Sequence, residues 1–178
     1  MKKIIIEETK KCDTRTLKKG DSFSEEDVKK ETEAHIEAVE KCGNFICDKI
    51  KEQFAEHDHT KLGKHLSAFT KALSTGFVGK EFKGLDWWEI HLTERHHLND
   101  KVPEDVNLVD VLEMICDCVS AGLARTGEVY DVTLPDKVLK DAFKNTVEML
   151  KKNIEVVKPE EKEKKDASEL FKMDLKGE

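Results

Sequence analysis

Residues 107–127 read NLVDVLEMICDCVSAGLARTG. Apolar side chains recur at three- and four-residue intervals, at Leu108, Leu112, Ile115, Val119 and Leu123, the spacing of a helix that buries one face. Asn107 stands where a helix cap accepts a backbone N–H, and Asp110, three residues on, completes a capping box. Gly127 ends the segment, as glycine commonly does just past a helix. Inside this apolar stretch sits Asp117, flanked by Met114, Ile115, Cys116, Cys118 and Val119. A carboxylate in a core helix is costly unless a cation or donors compensate it. The stretch therefore marks both a helical fold and a candidate ligand. Asp110 is a rival two turns earlier, but its place at the helix start assigns it to capping, and Cys116 and Cys118 read as small core residues.

The same period extends on both sides. Ser24 caps a helix whose first turn carries Glu25, Glu26 and Asp27 and whose stripe is Val28, Ile36, Val39, Ile46 and Ile50. Further helices are expected at about 62–74 and 86–97. Past a short extended piece, 129–134, Pro135-Asp136 opens a last amphipathic helix through Ile154. MKKIIIEE at the start reads as a short strand. From Lys158 to Glu178, 13 of 21 residues are charged, so a solvated tail is expected there. The fold class is all-α: an N-terminal extension over 1–23, a helical domain over 24–157 and a charged tail over 158–178.

With 178 residues the chain suits one domain. Its net charge of −7, from 31 basic against 38 acidic residues, disfavours general binding to a phosphate backbone or an anionic membrane. No apolar run approaches the roughly 18 residues of a spanning helix. Five cysteines without a C-x-x-C pair suit a reducing compartment, so a cytoplasmic protein is expected. A homo-oligomer is compatible with all of this.

All seven histidines lie between residues 35 and 97: 35, 57, 59, 65, 91, 96 and 97. The local signal is His57-Asp58-His59-Thr60-Lys61. Imidazole and carboxylate together suit a mid-series divalent metal. On one straight helix His35 and His57 would stand about 33 Å apart, far beyond what one ion can bridge. A break at Gly43-Asn44 is therefore expected, giving a helical hairpin that brings His35 beside His57-Asp58, with Asp117 as the fourth ligand.

The order His35, His57-Asp58, Asp117 resembles the H…HD…D signature of the HD superfamily of metal-dependent phosphohydrolases, which are all-α proteins. The HD-x-x-K continuation through Lys61 is similar to the motif of the HD-GYP and related branches. More closely, AHIEAV (34–39), HDHTK (57–61), residues 82–125 and NTVEMLKKNIEVV (145–157) resemble a phage-encoded family of HD-like proteins. The likeness spans about three-quarters of the chain. It implies that His35, His57, Asp58 and Asp117 ligate one divalent transition metal (Mn, Co, Ni, Fe or Zn). His91 and His96 or His97 would serve a second. Two departures stand out: Gly-Tyr-Pro is absent, so cyclic-di-GMP hydrolysis is not implied, and His91 and His96-His97 fall on one expected helix, where only one of the adjacent pair shares a face with His91.

The expected function is hydrolysis of a nucleotide or other small phosphoester through a metal-bound hydroxide. Lys61, with Arg95 and Arg125 as further candidate clamps, would hold phosphate, and one of His91, His96 or His97 would orient substrate or act as general acid. His59 reaches either the site or solvent, His65 is assigned to the surface, and Trp87-Trp88 to packing. A non-catalytic metal-containing module that binds a host nucleotide or protein is the alternative from another class. Oxygen chemistry at a di-iron site is a third.

Overall fold

The computed structural model describes residues 3–160 and Lys162, and the chain is mostly helical. The tail expected over 158–178 lies, from residue 163 on, outside the described residues. No helix among the described residues is long and apolar enough to cross a membrane. Two compact units emerge, Cys47–Glu148 and the described residues that flank it on either side.

In the flanking unit the expected strand β1 (Ile4–Glu7) pairs in parallel with β2 (Ile154–Val157), Ile4 opposite Ile154. The sequence reading had placed Ile154 in the last helix; Ile154 instead opens a β-branched run, IEVV, that continues in strand form. Ile4 and Val157 are buried, and Lys41 Nζ donates to the Ile5 carbonyl at 3.0 Å. The Lys41 residue belongs to helix α1 (Glu25–Ala55), whose start is capped as expected: the Asp27 N–H donates to Ser24 Oγ at 3.1 Å.

Helix α1 runs unbroken for 31 residues, so the break expected at Gly43-Asn44 does not occur and no helical hairpin forms there. One interior glycine costs about 1 kcal/mol against alanine, too little to stop a helix with long flanks. The stop comes after Ala55, where the chain turns through Asp58 at φ 58°, ψ 22°. Two single 3-10 turns follow, His59–Lys61 and Gly63–His65.

The Cys47–Glu148 unit continues with α2 (Leu66–Leu73), α3 (Gly79–Lys83), α4 (Asp86–His91), α5 (Leu108–Thr126) and most of α6 (Asp136–Asn153). Helix α4 is half the expected length, and residues 92–96 form turns and a bend instead. The capping box of α5 is complete: Asn107 accepts from the Val109 N–H at 2.9 Å and Asp110 from the Asn107 N–H at 2.8 Å. Gly127 closes it at φ 80°. A Cβ on Gly122 would lie 2.5 Å from the Glu128 carbonyl oxygen, because the chain folds back over α5 and the Tyr130 N–H reaches the Cys118 carbonyl at 3.2 Å.

The apolar core of this unit joins Leu98, Val106, Val111, Met114, Val138 and Ala142. It overturns the expected inward face of α5. Leu112, Ile115, Val119 and Leu123 are exposed, whereas Val109, Asp110, Val111, Glu113 and Met114 are buried. Val28, Ile36 and Val39 of α1 are likewise exposed, as is Cys116, and Cys118 is only half-buried. Hydropathy marked one face of α5, and a network of carboxylates with Arg95, Gln53 and His57 turned the neighbouring face inward.

Candidate metal centre

Three segments of the Cys47–Glu148 unit converge. The turn after α1 supplies His57 and Asp58; the end of α4 and the turn behind it supply His91, His96 and His97; α5 supplies Glu113 and Asp117. Asp58 is, among the described residues, the one non-glycine residue at positive φ. That conformation costs a non-glycine residue on the order of 1 kcal/mol and persists where surrounding structure imposes it, commonly at functional sites.

Nε2 of His57 is 3.6 Å from Asp58 Oδ2 and 3.5 Å from Asp117 Oδ1. Nε2 of His91 and of His96 lie 3.9 and 4.0 Å from Asp58 Oδ1. Two ligands about 2.1 Å from one tetrahedral ion stand roughly 3.4 Å apart, so these spacings are close to those of a ligand shell. His57, Asp58 and His96 form one group whose ligand atoms all lie within 4.8 Å of one another; His91, His96 and His97 form a second, sharing His96.

The decisive feature is a set of orphaned atoms. Asp58 Oδ1 and both ring nitrogens of His96 are sealed from solvent without a hydrogen-bond partner. His96 Nδ1 lies 3.3 Å from Glu113 Oε1 but off the line of a hydrogen bond. Each unsatisfied buried polar atom costs about 1–3 kcal/mol, and a cation between Asp58 Oδ1 and His96 Nε2 would satisfy one atom of each. The donor set could therefore hold a metal ion.

Electrostatics divide the rings. Asp117 and then Glu113 raise the His57 pKa to about 10 against the cost of burial, so the ring is charged at neutral pH. Burial first, then electrostatic interaction with His97 and Lys61, lowers His91 to about 3; burial and His96 lower His97 to about 4. These two rings are neutral, and their Nε2 atoms share one proton contact at 2.7 Å. Burial works to raise the Glu113 carboxyl, but hydrogen bonds from His57 and Gln53 and the nearby His96 ring prevail and hold it at about 2. Contact with His57 holds Asp117 below the usual carboxylate range.

Lys61 Nζ donates to Asp58 Oδ2 at 2.6 Å on the open side, where the side chains of His57, Asp117 and Lys61 keep about a quarter of their surface. A cavity of about 140 Å³ is lined by His57, Glu113 and Asp117 together with Phe54, Cys116 and Ser120. A smaller one of about 100 Å³ lies against His96 and His97.

Of the remaining candidates, His35 is exposed, lies in the flanking unit and belongs to neither group. The unbroken helix does not form the hairpin that was expected to bring His35 beside His57-Asp58. Arg95 is not a free clamp, because its Nε and Nη2 grip both oxygens of buried Asp110 at 2.7 and 2.9 Å. Arg125 is exposed in the last turn of α5. His59 Nδ1 turns to Glu94, 3.0 Å away, and His65 is half-buried rather than on the surface. Trp87 packs as expected, stacked on Phe69 and on His91. All three of His91, His96 and His97 converge, contrary to the one-helix expectation, because the chain leaves helix after His91.

Three partners were missed by sequence reasoning. Thr60 Oγ1 lies 2.7 Å from His91 Nδ1, Glu113 Oε1 lies 2.9 Å from His57 Nδ1, and Gln53 bridges Glu113 and Asp110. Glu113 carried the same signal as Asp117, a carboxylate in an apolar helix one turn earlier. Thr60 and Gln53 carried none.

No family model, curated protein or solved structure matches this chain.

Proposed function

We propose that this protein is a metal-dependent phosphohydrolase of the HD type, acting on a nucleotide or other small phosphoester. Supporting the reading is the pair of buried, unpartnered atoms, Asp58 Oδ1 and His96 Nε2, held 4.0 Å apart, with Asp58 itself in left-handed conformation. The HD-x-x-K segment, His57 to Lys61, followed by Asp117, supports the class. His57, Asp58 and His96 would hold one ion, with Asp117 at its edge, and His91, His96 and His97 offer a place for a second. A divalent ion bound there supplies Lewis acidity and an activated water nucleophile.

The chain's own groups do the rest. Lys61, which donates to Asp58 Oδ2, would take a phosphoryl oxygen in exchange and neutralise charge that develops as phosphorus is attacked. His91 and His97, kept neutral by burial, serve better as ligands than as general acids, since neither carries a surplus proton at pH 7. The buried wall of His91 and His96 excludes water behind the site, leaving the His57–Asp117 side for substrate.

The test is a screen of nucleotide phosphoesters and an aryl phosphate with protein loaded in turn with Mn, Co, Ni, Fe and Zn. Turnover should require the metal and be lost in Asp58→Ala, whose helical circular dichroism should persist. Turnover that survives chelation, or survives Asp58→Ala, would refute the reading.

A further inference from the structure

Two of the rings that face Asp58 are backed by the same carboxylate. Glu113 Oε1 lies 2.9 Å from His57 Nδ1 and 3.3 Å from His96 Nδ1. Glu113 Oε2 accepts from Gln53 Nε2 at 2.6 Å, and the same amide nitrogen donates to Asp110 Oδ1 at 2.8 Å. A side-chain amide nitrogen has two N–H groups, so both are spent on these carboxylates. Asp110 is fixed in turn by Arg95, the residue before His96, and by the cap of α5. Gln53 thus sets the rotation of the Glu113 carboxylate and leaves Oε1 for the imidazoles. The Glu113 side chain is 4% exposed, so it is held among these protein partners.

An imidazole that gives its Nδ1–H to a carboxylate has only Nε2 left to offer a metal, and such outer partners fix ring orientation as well as tautomer. We infer that Glu113, locked by Gln53, is a positioning residue: it holds the Nδ1–H of His57 and seats the ring of His96, so that both turn Nε2 towards Asp58. What those Nε2 atoms bind rests on the metal-centre reading above; how the rings are held does not.

The experiment uses ¹⁵N-labelled full-length protein, wild type, Glu113→Gln and Gln53→Met. Imidazole ¹H–¹⁵N spectra of metal-free protein report the Nδ1–H, and chelator competition with zinc reports affinity. Wild type should show a downfield, slowly exchanging His57 Nδ1–H that disappears in Glu113→Gln, with zinc affinity reduced 10–100-fold. Gln53→Met, which keeps the carboxylate and removes only its lock, should shift that resonance and weaken zinc by a smaller factor. It decides the matter if Glu113→Gln does not fold. Absence of the resonance in wild type, wild-type zinc affinity in Glu113→Gln, or an unchanged resonance and affinity in Gln53→Met would overturn the inference. A wild type that shows the resonance yet takes up no zinc would refute the metal reading and leave the positioning of the rings supported.

Discussion

Metal and proton should compete at His57, and the competition can be counted. The ring pKa of about 10 means that at pH 7 it holds a proton that a metal ion must displace. Three pH units at 1.36 kcal/mol each take roughly 4 kcal/mol, about a thousandfold, from the apparent affinity at pH 7. No other group at the centre with a resolved shift adds to the slope: His91 and His97, lowered to about 3 and 4, are already neutral, and Glu113, at about 2, is already ionised. Apparent affinity should therefore rise about tenfold per pH unit, roughly a hundredfold between pH 6 and 8. Calorimetry in buffers of different ionisation enthalpy should count about one proton released with the first ion. In His57→Gln both the slope and the released proton should vanish. Affinity that is flat over this range, or binding with no proton released, would refute the assignment of His57 as a charged ring awaiting a metal.

Three other outcomes follow from the geometry. His91 and His97 have folded-state pKa values below the ordinary 6.5, so the unfolded chain binds more protons below that value. Their stabilising contribution is present above pH 6.5 and lost as pH falls towards 4, at up to about 2.7 kcal/mol per unit for two groups. Thermal melts of metal-free protein should fall steeply in that window, and less steeply in His97→Gln. At Asp58, Gly and Ala both delete the carboxylate but differ in tolerance of φ 58°, so urea unfolding of metal-free Asp58→Gly should show it more stable than Asp58→Ala by about 0.5–1 kcal/mol. Equal stabilities would mean that the left-handed turn does not persist. Gly122→Ala should cost about 1–3 kcal/mol in the same assay, because its methyl would meet the Glu128 carbonyl and the Tyr130 N–H.

Local grammar was the legible part of this fold. The caps at Ser24 and Asn107 and the stop at Gly127 depend on neighbours within four residues, and they stand where the sequence puts them. Which face of α5 turns inward depends on distant partners. Its apolar stripe named Leu112 and Ile115, but Arg95 and Gln53 drew Asp110 and Glu113 inside instead. The same limit governs the centre. His57, Asp58 and Asp117 were readable from motif and from the oddity of a carboxylate in an apolar helix. His35 entered through the resemblance and through a break expected at Gly43-Asn44, and one glycine was too weak to produce that break. The convergence of three histidines depended on helix α4 ending at His91, which no residue there announces.

Metal analysis by mass spectrometry of protein purified without a metal-binding tag, beside Asp58→Ala and His96→Ala, is the most direct test of the centre. One or two transition-metal ions per chain, lost in both variants, is the expected result. A wild type that carries no metal and takes up none from added manganese, cobalt, nickel, iron or zinc would contradict it.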